Sequence, residues 1–289
     1  MKKILLITSI FVAAHFQAQM QKFEFVTNVP DAEDSYVVFS NKEGETKYPF
    51  GFVYFDEYAG YSFRSLGNII VEDNKLKIIN NEANSYSMNI ARIGNLNLKM
   101  AKLNKDVIRK LNLEPSPEWL KNYKSKSPEN EKILNRASKM NGLQSPELAL
   151  PKLLQLYKNN FKTTSLYFEL AFSYNALKEF SKAERIASEA IQNNKSSDLV
   201  RKEYVFALAN QNKLKELDTY LTQDLPKFTS ERDKAEAIIN TIASSAHYDN
   251  LDMANKWLIK LKSEVDILKY QRNINLLENI IKEKQKRFQ

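Results

Sequence analysis

The chain has 289 residues, of which 43% are hydrophobic and 27% charged, with a formal charge of +8, two histidines and no cysteine. That length suits one large domain or two ordinary ones, and the apolar content is that of a folded protein rather than a disordered one. Without cysteine there is no disulfide, thiolate nucleophile or Cys-ligated zinc, and two histidines are too few for a multi-His metal centre.

The opening residues, MKKILLITSIFVAAHFQAQ, place two lysines before an apolar run from Ile4 to Ala14, followed by small and polar residues. This is the pattern of a secretory signal peptide over residues 1–18, too short in its apolar part to cross a bilayer. Cleavage after Ala18 leaves Gln19 first, and Val12-Ala13-Ala14 offers a rival site ending at Ala14. The expected location is periplasmic or secreted, in a bacterium, with no membrane span after the signal and no cysteine to carry a lipid. Loss of Lys2 and Lys3 lowers the formal charge from +8 to +6. The remaining Lys and Arg alternate with Glu and Asp, as on solvated helix faces, so no nucleic-acid partner is expected. The C-terminal KEKQKRF reads as a last helical turn whose cations suit the helix dipole.

All six glycines lie at or before Gly142. Residues 19–101 carry short runs rich in Phe, Tyr, Val and Ile: KFEFV, SYVVF, FGFVYF, YSFR, NIIV and KLKII. Such runs favour a pleated, half-buried surface, and the pairs Ile69–Val71 with Leu76–Ile79 and the two arms of FDEYAGYSF read as antiparallel hairpins. The expectation is a small β-rich N-terminal domain, curled or sandwiched.

Three SPE triplets follow, at Ser116, Ser127 and Ser145. Serine as N-cap, proline at the first helical position and glutamate near the positive end of the dipole together predict three helix starts. Residues 102–127 then read as a linker with short helices, and 128–289 as a helical domain in which Asn141-Gly142 closes the first helix.

From Thr163 onward helices alternate with short corners. Tyr167, Leu170, Ala171 and Tyr174 form one stripe, and Ala183, Ile186, Ala187 and Ala190 form the next, so that small residues stand where two helices cross closely. This array, Tyr167-x2-Leu170-Ala171-x2-Tyr174 followed by Ala183 and Ala190, resembles the tetratricopeptide repeat, whose period is ~34 residues. One period on stand Tyr204, Val205, Leu208 and Leu217; one period back stand Ala149, Leu153 and Tyr157; Ala254, Trp257 and Leu258 mark a later pair. Ala187 and the lack of a proline near Lys195 depart from the family pattern. The fold expected is α+β: the β-rich domain, then a tetratricopeptide-like solenoid. Its C-terminal capping helix, about Val265 to Arg287, would bury Ile267, Tyr270, Ile274, Leu277 and Ile281, with a coiled-coil dimer as the rival use of that stripe.

The resemblance implies a concave groove that binds a protein partner or extended peptide, with Phe168, Phe172 and Asn175 of one repeat and Lys202, Phe206 and Asn210 of the next facing it. Phe172 and Phe206 would form apolar pockets and the asparagines would grip peptide backbone. An alternative is a carbohydrate- or surface-binding module that uses the aromatics Phe52, Tyr54, Tyr58 and Tyr61. No catalytic residue, cofactor or metal is expected: His247 reads as a helix-end residue, Asp56-Glu57 and Glu72-Asp73 read as turn residues, and no glycine-rich phosphate loop or EF-hand occurs.

Overall fold

The computed structural model describes residues 23–42, 46–73, 75–79 and 89–287. The signal-peptide reading of residues 1–18, with either cleavage site, lies outside the described residues. The fold is α+β, in two compact units, Met1–Tyr123 and Lys124–Gln289. The division falls after Tyr123, so most of the segment read as a linker belongs to the first unit.

That unit is built on one antiparallel sheet. Strands β1 (Ser35–Val38), β2 (Lys47–Asp56), β3 (Gly60–Glu72), β4 (Lys75–Ile79), β5 (Ile90–Arg92) and β6 (Ala101–Lys102) lie in the order β4-β3-β2-β1-β6, and β5 extends the side of β3 that β4 occupies. Both expected hairpins are present, one pairing Asp56 with Gly60 and the other Glu72 with Lys75. Asp56 Oδ1 holds the first turn by accepting from the Tyr58 and Ala59 amides, and Gly60 completes it at φ 86°. YSFR and NIIV, read as two runs, are one strand, while KFEFV contributes no described strand. Opposite Phe50 and Gly51 the register of β3 slips by one residue, at Gly67 with φ 118°. Such a bulge sharpens twist and helps the sheet curl into a half-barrel.

Alternation puts Tyr36, Phe50, Phe52 and Tyr54 into one core with Val107 of α1 (Lys105–Lys110) and Leu120 of the 3-10 segment Glu118–Tyr123. Trp119 and Tyr123 complete the cover, with rings 5.2 and 4.8 Å from that of Tyr54. Val53 and Phe55, on the opposite face, are buried as well.

The second unit consists of α2 (Glu129–Gly142), α3 (Pro146–Lys158), α4 (Thr164–Ala176), α5 (Phe180–Gln192), α6 (Asp198–Asn210), α7 (Leu214–Asp224), α8 (Glu231–His247), α9 (Leu251–Glu264) and α10 (Ile267–Arg287). Each helix packs on the next, and α2, α4, α6 and α8 also pack on one another in sequence. The alanine stripe is buried throughout, at Ala171, Ala183, Ala187 and Ala190. On α10, Ile274, Leu277 and Ile281 are buried against the core of α8 and α9, so that stripe is spent within the chain; Ile267 is 43% exposed and stands outside it.

The SPE triplets do mark helical starts, but not through serine caps. Ser127 lies one residue before the Pro128 boundary, and Ser145, although at the N-cap, makes no side-chain cap bond. The side-chain caps belong to Asn104, Thr163, Ser197, Ser230 and Asn250. Gly142 closes nothing either, being the last residue of α2. Instead Gln144, Asn160, Lys178, Asn194, Asn212 and Asp249 turn the corners at φ between 55° and 61°. After each, the next amide reaches back to close the helix end, as from Ser145 to Met140 O and from Glu179 to Tyr174 O. The glycine-free half thus makes its left-handed corners mostly with Asn and Asp, whose short polar side chains tolerate that conformation.

Gly51 has no room for a side chain: a Cβ there would meet Arg64 O at 2.2 Å and the Phe63 ring at 2.5 Å. Because a backbone oxygen cannot step aside, Gly51→Ala is expected to destabilise the first unit by about 2–3 kcal/mol. Urea unfolding followed by Trp119 fluorescence, in a Trp257→Phe background, measures it; an unchanged midpoint would refute the packing described.

Candidate functional site

The helices α2, α4 and α6 repeat a polar contact that fixes their register. Asn141 Nδ2, near the end of α2, donates to Glu169 O at 3.1 Å and to Glu169 Oε2 at 2.7 Å on α4. One repeat later Asn175 Nδ2 does the same to Glu203 O at 3.0 Å and Glu203 Oε2 at 2.9 Å on α6. Both asparagines and both glutamates are buried, and each second member follows its first by 34 residues. A carboxamide offers two N–H donors, which is why one asparagine can hold both the backbone and the side chain of its neighbour. At the third junction Ala209 and Ala237 occupy these places, and Ser244 Oγ donates to Ala209 O at 2.8 Å instead.

The two copies differ at one atom. Asn141 Oδ1 accepts from Ser173 Oγ at 2.8 Å, whereas Asn175 Oδ1 is buried and accepts no hydrogen bond from any described residue. The position that matches Ser173 is Ala207, itself fully buried. The serine that would complete the second latch is simply missing.

With this register, residues 34 apart align across the three helices: Phe168, Lys202 and Glu236; then Phe172, Phe206 and Asn240. A cavity of about 320 Å³ is lined by Phe172, Asn175, Ala176, Lys202, Glu203, Phe206, Glu236 and Asn240. A second, of about 360 Å³, is lined by Phe206, Ala209, Asn210, Asn240, Ala243, Ser244, His247 and Tyr248. Four of the six groove residues read from the sequence therefore line the first cavity, and Asn210 lines the second with Phe206. Phe168 lines neither, but its ring is 6.1 Å from that of Phe172.

Their chemistry is not all as expected. The Asn175 amide is committed to the latch, and Asn210 Nδ2 donates to Phe206 O of its own helix at 2.8 Å. Lys202 is held by Asp233 Oδ1 at 3.0 Å and Glu236 Oε2 at 2.7 Å. Burial alone would pull its ammonium down, but these two carboxylates prevail and hold it above the ordinary lysine value. Glu203, Glu236 and Asn240 were not foreseen, although one further 34-residue step from Lys202 and Phe206 reaches the last two. The exposed His247 ends α8, in the corner position expected of it.

A second polar knot ties α3, α4 and α5 together. Glu189 on α5 accepts from Tyr157 at 2.5 Å, Tyr167 at 2.7 Å and Lys162 at 2.9 Å. Burial opposes its charge, but those three donors outweigh it and hold the carboxyl down at about 2. The stabilisation from that carboxylate is complete above the ordinary glutamate range and is lost as pH falls toward that value.

The aromatic N-terminal alternative loses its surface. Phe52 and Tyr54 are 0% exposed and Tyr61 2%, so of the four only Tyr58, at the hairpin tip, faces solvent. The residues that cover Phe52 and Tyr54 arrive from the segment read as linker. Among the described residues no group of three His, Cys, Asp or Glu stands together as a metal site, and no helix is long and apolar enough to cross a membrane.

Restoring the missing serine gives a direct test of the latch. Ala207→Ser is expected to raise the unfolding free energy by about 1 kcal/mol, as a buried acceptor gains a donor. A loss of stability of that size in urea melts would mean that Asn175 Oδ1 does not face residue 207. No family model matches the chain, and no curated protein or solved structure does either.

Proposed function

We propose that the second unit is a tetratricopeptide-like solenoid that works without chemistry of its own, as a scaffold or adaptor holding an extended segment of a partner protein. In this reading the chain is exported, and the partner is a protein of the bacterial envelope or periplasm. The observation that carries it is the shared cavity: Phe172, Asn175, Lys202 and Phe206, assigned to a concave face by a 34-residue step, line one cavity, and Phe206 and Asn210 line the next. Both phenylalanines are half-buried, leaving part of each ring for a ligand. Asn240 stands between the two cavities with an amide that no described residue engages, and it suits a peptide backbone passing from one to the other.

Crosslinked capture from the native cell envelope tests this, comparing the unaltered chain with a Phe172→Ala, Phe206→Ala variant shown by circular dichroism to fold. The reading requires that at least one specific protein be recovered by the first and lost by the second. An identical captured set from both would remove the groove as the binding site.

A further inference from the structure

Within the first cavity one charge stands unanswered. Lys202 is spent on Asp233 and Glu236, and Glu236 also accepts from Arg232 Nε at 3.1 Å. The Glu203 carboxylate, by contrast, has a single partner: Asn175 Nδ2 on Oε2. Its Oε1 takes no hydrogen bond from any described residue, and no described cation pairs with it, although the residue is only 8% exposed and lines the cavity. Burial pushes this carboxyl above the ordinary glutamate value, and neither the hydrogen bond from Asn175 nor the charge of Lys202, which the two other carboxylates hold, brings it back. The matching Glu169, one repeat earlier, carries the same latch but lines neither cavity, so of the two latch carboxylates only Glu203 borders one.

Resting on the groove reading above, we infer that the cavity is the pocket for one basic side chain, arginine or lysine, of an extended peptide, with Glu203 as its counter-charge and Phe172 and Phe206 as its walls. The chemistry matches along the length of such a side chain. The methylene stem packs on the two rings, a guanidinium or ammonium gains from the ring faces, and the charge meets a carboxylate already stripped of water. A cavity of about 320 Å³ is of the size that encloses a single side chain or small ligand. A neutral apolar side chain would fill the same space but leave Glu203 buried and unpaired, and a carboxylate would add repulsion to that cost.

The probes are three fluorescein-labelled, C-terminally amidated pentapeptides, Ala-Ala-X-Ala-Ala, in which X is arginine, its neutral isostere citrulline, or leucine. They are titrated by polarisation against the full chain, Glu203→Gln and Phe206→Ala. Glu203→Gln keeps an acceptor for Asn175 and so keeps the latch. The arginine peptide should bind at least about ten-fold tighter than the citrulline peptide, and Glu203→Gln should reduce that preference to about two-fold or less. Equal binding of arginine and citrulline, or a preference untouched by Glu203→Gln, overturns the inference. If leucine binds best and Phe206→Ala abolishes it, the groove stands without its charge selectivity. If none of the three binds, the inference and the groove reading fall together.

Discussion

A buried carboxamide that serves two acceptors on the next helix sets the register of the second unit. Apolar packing alone would let α4 and α6 slide along one another at little cost, because ridges of similar side chains fit several grooves. The Asn175 amide removes that freedom, since a slip of one residue would leave its two donors and the Glu203 carboxylate unpaired in the interior. The same contact between Asn141 and Glu169 carries the register back to α2. The alignment of Phe172 with Phe206 inherits its spacing from the second latch, whereas α8, which carries Asn240, is tied to α6 by Ser244 Oγ on Ala209 O instead.

The latch also explains why chemistry appears on the wall of the groove. A glutamate recruited to hold a neighbour presents one oxygen to the asparagine and leaves the other to whatever lies beyond. Around Glu169 no groove cavity opens; around Glu203 one does. On the inference drawn above, a structural carboxylate doubles as a recognition group without any change in its structural role. Lys202, which lines the same cavity, does not cancel it, because it is already engaged by Asp233 and Glu236.

Helix positions in the second unit were legible because burial imposes a period, and alanines at close crossings are a local signal. The α+β division was legible in the glycines and in the change of rhythm after residue 101. Other features were hidden for physical reasons. Gln144 and Lys178 turn corners in the left-handed region although neither side chain is specialised for it. The fate of Phe52 and Tyr54 depended on Trp119 and Tyr123, more than sixty residues away, so no local pattern could decide between core and surface. Of the groove, the aromatic positions followed from the repeat step, but Glu203 did not. A carboxylate within an apolar helix reads as a solvent-facing residue until its partner, 28 residues earlier in the chain, is seen beside it.

The measurement that bears most directly on this account is a double-mutant cycle on the second latch: Asn175→Ala, Glu203→Ala and the pair, with unfolding free energies from urea melts. If the contact fixes the helix register, each single change is costly and the two are coupled by about 1–3 kcal/mol, the pair being far less damaging than their sum. Additive effects, with coupling near zero, would mean that apolar packing sets the register unaided and that the alignment of the groove has another cause.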